Sequence, residues 1–371
     1  MDLNERGNFN GSKPKHDGES GFSLLELIIA MVIFLIVTGA IYGLLQLGMY
    51  DRNRASRRTD VLKNARVAVY MIGRDVLNAG LGYHRVGSVV PDNFNATLLG
   101  VPSDVDGNRD ILTSIVVGND RVANNLNADP NAKTDTIAFA YRDLDFNGGN
   151  PITLQGVTAA SGNPATPRLT ASTANGAAAA KPYDLFLVES DTSQIAAVAT
   201  AVNGSNTIDF ALGDPLGMNQ SLIGVGQAGS VLRQCLSTAD ENCTTYLATA
   251  KRFFLVSYQV KPDGTLTRKI YGNNRGAAST DQIQELPLAY NVENFQIKYI
   301  LDDGTMTDNP SVGPDGIAGT ADDDWQDFNK IRQVVLTITV QSTEIDEKTQ
   351  RPESITLKST FATRNLEYDA G

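Results

Sequence analysis

The stretch that decides the fold is GFSLLELIIAMVIFLIVTGAIYGLLQLGMY, residues 21–50. From Leu27 to Leu45 its only polar side chain is Thr38, over a run of 19 residues. As a helix this run is about 28 Å long, close to the ~30 Å hydrocarbon core of a bilayer. A core helix of that length in a globular domain normally has a polar face, and this one has none. The sequence therefore predicts one membrane-spanning helix.

A secretory signal peptide is the alternative for an apolar run in this position. Such a signal has about 7–15 apolar residues followed by a small-residue cleavage site. Here the run is longer, and the Arg-rich segment DRNRASRR at 51–58 follows it. Those arginines alone would favour a cytoplasmic C-terminal side. The polar, Gly-rich residues 1–21 show no apolar periodicity. We therefore expect a retained anchor, with its orientation to be decided by other features.

Glu26 lies within the apolar segment, where a carboxylate is costly and usually marks function. A plain position at the headgroup level is the alternative. The residues GFSLLE at 21–26 resemble the cleavage motif of type IV prepilins, in which Gly precedes an apolar residue and a Glu four positions further on. The resemblance implies that a prepilin peptidase cuts after Gly21 on the cytoplasmic side. It also implies that Phe22 becomes the N-methylated terminus and that the body is exported.

The same resemblance gives Glu26 a role in assembly. In that family the carboxylate pairs with the N-terminal amine of a neighbouring subunit and sets the axial register. Each of the two charges has a large desolvation penalty in lipid, and pairing lowers it. The resemblance thus implies a contact between Glu26 and the Phe22 amine of a neighbour.

The helical pattern continues past the apolar segment. The residues GLG at 80–82 are a C-terminal signal, so the predicted helix runs from Ser23 to about Ala79. Its outer half has apolar residues at spacings of three and four, namely Leu62, Ala65, Val69, Ile72 and Val76.

From residue 84 the pattern changes to short alternating runs between turns, which is typical of strands. The residues KPDG at 261–264 predict a hairpin, and the low-complexity run near 157–181 predicts a loop or insertion. The predicted fold class is α+β and pilin-like, with a long N-terminal helix, transmembrane in its first half, packed on a C-terminal β-rich antiparallel body. The predicted strands are 111–117, 135–141, 184–189, 206–210, 253–260, 265–270, 293–300, 331–341 and 354–361.

A finer resemblance is to PilW-type minor pilins and the related J-type pseudopilins of type II secretion. Segments 258–268, 288–299 and 331–340 look like a hairpin, an L-A-x-N-V-E segment and a closing strand of those families, whereas 142–252 matches loosely. The helix end carries matching residues, namely Arg66, Arg74, Asp75, Ala79, Gly80 and Tyr83. For that piece alone, an ordinary amphipathic helix with surface arginines is the alternative.

The resemblance implies four regions. They are a leader at 1–21, a transmembrane and filament-core helix at 22–50, the soluble half of the helix at 51–82, and an exported body at 83–371. It implies a non-catalytic minor pilin in the bacterial inner membrane and then in the pilus, the periplasm or at the cell surface, acting in initiation or at the tip. The implied partners are other minor pilins, the major pilin, the inner-membrane assembly platform, the prepilin peptidase and a tip adhesin. A type II secretion pseudopilin and a calcium-dependent module, or an enzyme, on a pilin-like anchor are the alternatives.

Composition excludes several other functions. With 31 Lys and Arg against 42 Asp and Glu, a formal charge of -11, a general basic surface for nucleic acid is not expected. Two Cys and two His exclude Cys/His zinc arrays and iron–sulfur clusters. The G-x-G-x-x-G at 224–229 has no convincing strand before it, so a Gly-rich turn is the better interpretation. No catalytic residue is predicted, and Ca²⁺ is the one candidate cofactor.

The sequence leaves two questions open, a disulfide and Ca²⁺ binding. Cys235 and Cys243 predict a disulfide in an exported protein, with two independent thiols as the alternative. Acidic loops at 104–110, 143–148 and 302–324 predict either solvated turns or Ca²⁺ sites, and the loop at 143–148 lacks the bidentate Glu of an EF-hand. The strongest Ca²⁺ candidates are in the third loop, namely Asp302, Asp303, Asp315, Asp322, Asp323 and Asp324.

Overall fold

The computed structural model describes residues 21–83, 87–99, 110–127, 129–160, 166–189, 194–219, 249–274, 276, 278–311, 325–346 and 349–366. These residues form one long helix followed by a body of antiparallel sheets, which confirms the predicted α+β, pilin-like fold class. The chain divides into two compact units, Met1–Ser56 and Arg57–Gly371.

Helix α1 spans Leu24–Asn78, within one residue of the predicted bounds at each end. In the first unit, the side chains from Leu24 to Met49 are all exposed. Among the described helices α1 alone is long and apolar enough to cross a membrane; its most apolar 18-residue window has a mean hydropathy of 2.8 and no buried residue. The exposed and predominantly apolar surface predicted from the sequence is therefore present.

In the second unit α1 has one side in the core. Ala65, Ala68, Ile72 and Val76 are completely buried, so the predicted apolar stripe faces the body. Gly80 ends the helix with φ of +80°, and Gly82 follows with φ of +57°, conformations that glycine adopts without a steric penalty. The predicted C-terminal signal is thus confirmed.

The body contains a 13-stranded and a 4-stranded sheet. The α-helix and strands described after α1 are β1 (Ser88–Val90), α2 (Phe94–Leu99), β2 (Asp110–Leu112), β3 (Ile115–Ala123), β4 (Lys133–Arg142), β5 (Ile152–Ala160), β6 (Thr166–Ala171), β7 (Leu185–Glu189), β8 (Gln194–Val198), β9 (Ala201–Asn203), β10 (Thr207–Asp209), β11 (Thr249–Val260), β12 (Leu266–Tyr271), β13 (Ile283–Ala289), β14 (Val292–Leu301), β15 (Met306–Thr307), β16 (Ile331–Ile345) and β17 (Pro352–Ala362).

The larger sheet has two branches that share β11: β2-β1-β8-β7-β11-β5-β6-β10-β9, and β3-β4-β11-β12-β13. The smaller sheet has the order β15-β14-β16-β17. Pairing is antiparallel except between β1 and β8.

Each of the nine predicted strands has a counterpart, although 111–117 is divided between β2 and β3, and the predicted hairpin at 261–264 joins β11 to β12. The amide of Gly264 donates to the carbonyl of Lys261 over 2.9 Å, and Gly264 has φ of +80°. The loop predicted near 157–181 is wrong in part, because β5 and β6 pair there with Val157 opposite Leu169. Small and polar residues conceal this pair in the sequence. It is held by the burial of Leu154, Leu169 and Ala171.

Two hydrophobic clusters form the core. The larger lies where α1 meets the sheets and includes the completely buried Phe253, Phe295 and Tyr258. The smaller is centred on Phe186, which packs edge-to-face on Phe146 and Phe210 with ring centroids 5.7 and 6.3 Å apart. The larger cluster fixes the outer half of α1 against the body.

Candidate functional site

The segment predicted to be processed lies at the start of α1 and is built as a helix cap. The Ser23 amide donates to Glu26 Oε2 over 3.1 Å, and the Leu25 amide donates to Ser23 Oγ over 3.3 Å. Ser23 Oγ thus caps the amide of the second helical residue, and Glu26 reaches back to the Ser23 amide as in a capping box, so two amides at the helix start have partners. Ser23 is not among the site residues predicted from the sequence, although the spacing S-x-x-E before an apolar run is the usual signal for such a cap.

Both predicted processing residues are accessible. Phe22 is 88% exposed, and a Cβ placed on Gly21 would have no atom of the described residues within 4 Å. Packing against the described residues therefore does not require glycine at this position.

A second polar site holds the outer half of α1 on the body. Asp75 is completely buried and accepts hydrogen bonds from Tyr258 Oη at 2.5 Å and Tyr141 Oη at 3.1 Å. Arg268 donates to the same carboxylate from Nε at 2.9 Å and lies 2.8 Å away at Nη2. The two charges are thus paired and hydrogen-bonded, which a buried ion pair requires.

This site gathers residues from four elements: α1, β4, β11 and β12. Burial, and then the negative charge of Asp75, raise the pKa of the Tyr258 and Tyr141 hydroxyls, so both remain donors. Because Asp75 is a buried charge, α1 differs from an ordinary amphipathic helix that has charges only on its surface. Arg74 is a surface residue, with 47% of its side chain exposed, whereas its neighbour Asp75 is a core residue.

The structure describes only two of the six Ca²⁺ candidates. Asp302 Oδ2 lies 3.8 Å from Arg332 Nη2. Asp303 Oδ1 accepts the Thr305 amide over 2.8 Å, which lowers the pKa of Asp303. Within the described ranges, no three Asp, Glu, His or Cys side chains are grouped so that they could hold a metal. Outside those ranges lie Asp315, Asp322, Asp323 and Asp324.

The acidic loop at 143–148 has a structural role instead. Asp143 Oδ2 accepts both Arg252 Nε at 2.9 Å and Arg252 Nη2 at 2.6 Å. The guanidinium also lies 4.6 Å from the centre of the Phe146 ring. Within this loop, the Asp143 carboxylate is therefore paired with a guanidinium in the structure.

Other candidates lie outside the described residues. These are both cysteines, Cys235 and Cys243, the G-x-G-x-x-G segment at 224–229, and most of the loop at 104–110. The disulfide stays a prediction.

Comparison with known proteins agrees with the N-terminal motif. The family model for the prokaryotic N-terminal methylation motif matches residues 17–42, which include GFSLLE and the first part of the apolar helix. No curated protein and no solved structure matches the chain. A methylation motif leading into an unburied apolar helix, followed by a β-rich body, supports a type IV pilin-like protein anchored by a single membrane-spanning helix.

Proposed function

We propose that the protein is a minor pilin of a type IV pilus that acts in initiation or at the tip of the filament and catalyses no reaction. The observation that carries this proposal is the methylation motif at 17–42, with Glu26 in the first turn of an exposed apolar helix. An exposed apolar surface of this length needs lipid or other helices around it. In this proposal the bilayer supplies the lipid before assembly, and the filament core supplies the other helices after it.

Processing after Gly21 is part of the proposal. Packing against the described residues does not require glycine at this position. Recognition by a prepilin peptidase would instead explain the glycine at position 21. Cleavage would leave Phe22 as the terminal residue and would leave the Ser23–Glu26 cap intact, because the cap uses the Ser23 amide and not that of Phe22.

Glu26 keeps capacity for a second partner. A carboxylate accepts about four hydrogen bonds, and Oε2 uses one for Ser23. The remaining capacity suits the Phe22 amine of a neighbouring subunit, which would set the axial register. The two charges would then neutralise each other in surroundings of low dielectric constant.

The proposed regions follow from this role. Residues 1–21 form a cytoplasmic leader, 22–50 a transmembrane and filament-core helix, 51–82 the soluble half of the helix, and 83–371 the exported body. The partners are other minor pilins, the major pilin, the assembly platform, the prepilin peptidase and a tip adhesin.

Deletion of the gene tests the proposal. We expect the deletion strain to have fewer surface pili by electron microscopy. In cells that express the gene, we expect the chain to be shorter when the prepilin peptidase is present than when it is absent. Complementation by the intact gene should restore piliation, whereas a Gly21→Leu variant should remain at the precursor length and restore nothing. Normal pilus number after deletion would refute the minor pilin role, and loss of protein secretion instead would indicate a type II secretion pseudopilin.

A further inference from the structure

The outer half of α1 exposes one narrow side. Between residues 62 and 79 the exposed positions are Lys63, Arg66, Val67, Tyr70, Arg74 and Leu77, which we call the basic face. At about 100° per residue these six fall within one stripe of the helix surface. The opposite side, with Ala65, Ala68 and Ile72, is in the core.

The apolar members of the basic face follow a coiled-coil spacing. Val67, Tyr70 and Leu77 are 48%, 70% and 37% exposed. Positions 63, 67, 70, 74 and 77 alternate steps of four and three, as the a and d positions of a heptad do. A second helix packed along this stripe would cover the three apolar side chains together.

The charge of the basic face is unbalanced. It has three cations and no carboxylate, in a chain with a formal charge of -11. The one acidic residue between 62 and 79 is Asp75, which is buried against Arg268 and also lies 3.5 Å from Arg74 Nη2. Among the described residues Lys63 and Arg66 have no ion-pair partner. These cations are therefore available to an external acidic group.

We propose that the basic face docks an amphipathic helix of another protein whose apolar seam is flanked by Asp or Glu. The apolar spacing specifies a helix as the partner, and the unbalanced cations specify its charge. The inference concerns residues 57–371 alone and does not depend on the proposed pilus role.

Two other occupants fit less well. A second copy docked face to face would oppose cations to cations, which disfavours pairing. A lipid surface suits a helix whose apolar and cationic residues lie on separate sides. Here Lys63 and Arg74 lie in line with Val67 and Tyr70, so the two kinds of side chain are mixed in one stripe.

The test uses the full chain in nanodiscs of zwitterionic lipid and two synthetic peptides of about four heptads with Leu at a and d. One peptide has Glu at e and g, and the other has Lys, so that neither pairs with itself. Binding is measured by fluorescence anisotropy. We expect the acidic peptide to bind and the Lys peptide not to bind, and we expect binding to weaken with salt.

Charge reversal gives the decisive comparison. Lys63→Glu with Arg66→Glu should weaken binding of the acidic peptide by roughly tenfold and should allow the Lys peptide to bind. The control, Lys133→Glu with Lys358→Glu, makes the same change in net charge at exposed strand positions and should bind as the unmodified protein does.

Three results would overturn the proposal. The first is equal binding, or no binding, of the two peptides. The second is loss of peptide binding when the nanodisc contains anionic lipid, which would make the basic face a headgroup surface. The third is self-association of the chain that Tyr70→Arg abolishes, which would make a second copy the occupant.

Discussion

Glu26 has a local hydrogen bond in the structure and a proposed role between subunits. Its carboxylate caps the helix through Ser23, and in the proposed filament it also neutralises the amine of a neighbour. Substitutions separate these roles because a glutamine in the third helical position caps about as a glutamate does but has no charge.

We therefore predict that Glu26→Gln and Glu26→Ala both leave leader cleavage intact and both impair incorporation into filaments. Cleavage is read from the length of the mature chain, and incorporation from the amount of protein in sheared pili. If Glu26→Gln incorporates normally and Glu26→Ala does not, the residue acts as a helix cap and the proposed charge pairing is wrong.

Asp75 is the residue whose loss should cost the body most. Asp75→Asn leaves Arg268 buried without a counter-charge, and removal of one partner from such a pair costs about 3–5 kcal/mol. We expect a corresponding fall in the free energy of unfolding, measured by circular dichroism in denaturant. The double variant Asp75→Leu with Arg268→Leu should recover part of the loss, because no charge then stays unpaired. A double variant as unstable as the sum of the single ones would contradict this account.

At the scale of elements, α1 and the smaller sheet are in close contact at one glycine. A Cβ on Gly73 would overlap the ring of Phe361 on β17. Arg58 on α1 reinforces this contact, with its Nε 2.5 Å from Glu353 Oε1 on the same strand. The ring of Phe361 thus packs directly on the backbone of α1 at Gly73.

We predict that Gly73→Leu lowers the melting temperature of the body through overpacking, at a cost of about 2 kcal/mol. Phe361→Ala should lower it also, by removing a half-buried ring. In the combined variant the new leucine occupies space that the ring has left, so the two losses should be less than additive. Strict additivity in this double-mutant cycle would show that the residues do not share a contact.

The whole body contains a buried acid where its two sheets meet. Asp135 on β4 accepts the amide of Asp120 over 2.9 Å and the amide of Ile297 on β14 over 2.6 Å. Burial, with a smaller contribution from the charges of Asp120 and Asp308, outweighs these bonds and raises the pKa of Asp135 from 3.8 to about 7. The joint between the sheets is therefore sensitive to pH.

The direction follows from the raised pKa. The contribution of the protonated acid to stability is fully present below about pH 4 and is lost as the pH rises through about 7. We predict that the free energy of unfolding falls by on the order of 3 kcal/mol between pH 4 and pH 8 through this group. Asp135→Asn should reduce the slope of stability against pH, whatever its effect on absolute stability. An unchanged slope would assign the pH dependence to other groups.

Sequence patterns predicted the parts of the fold that have strong local signals. The apolar run fixed α1, GLG at 80–82 ended it, and KPDG at 261–264 formed its hairpin. The pair β5–β6 was not predictable in the same way, because its Thr- and Ala-rich strands owe their order to partners elsewhere in the sheet. Local patterns do not contain such partners.

The same distinction applies to the sites. Gly21, Phe22 and Glu26 are adjacent in the sequence, and the motif identified them together. Asp75 and Arg268 were noted only as separate matches to a family pattern, because nothing local shows that they touch across 193 positions. The basic face was predictable from the sequence in principle, because the positions opposite the predicted core stripe of α1 are expected to be exposed.

That separation of 193 positions has a consequence for the order of folding. Local contacts form quickly, whereas contacts between distant parts of a chain wait until the intervening loop has closed, so topologies rich in them fold slowly. In the proposed exported protein, the carboxylate of Asp75 would acquire Arg268 only after most of the body has been delivered beyond the membrane. The outer half of α1 would then emerge before the strands that hold it, and its core-facing alanines and isoleucine would stay open to other proteins until that pair is made.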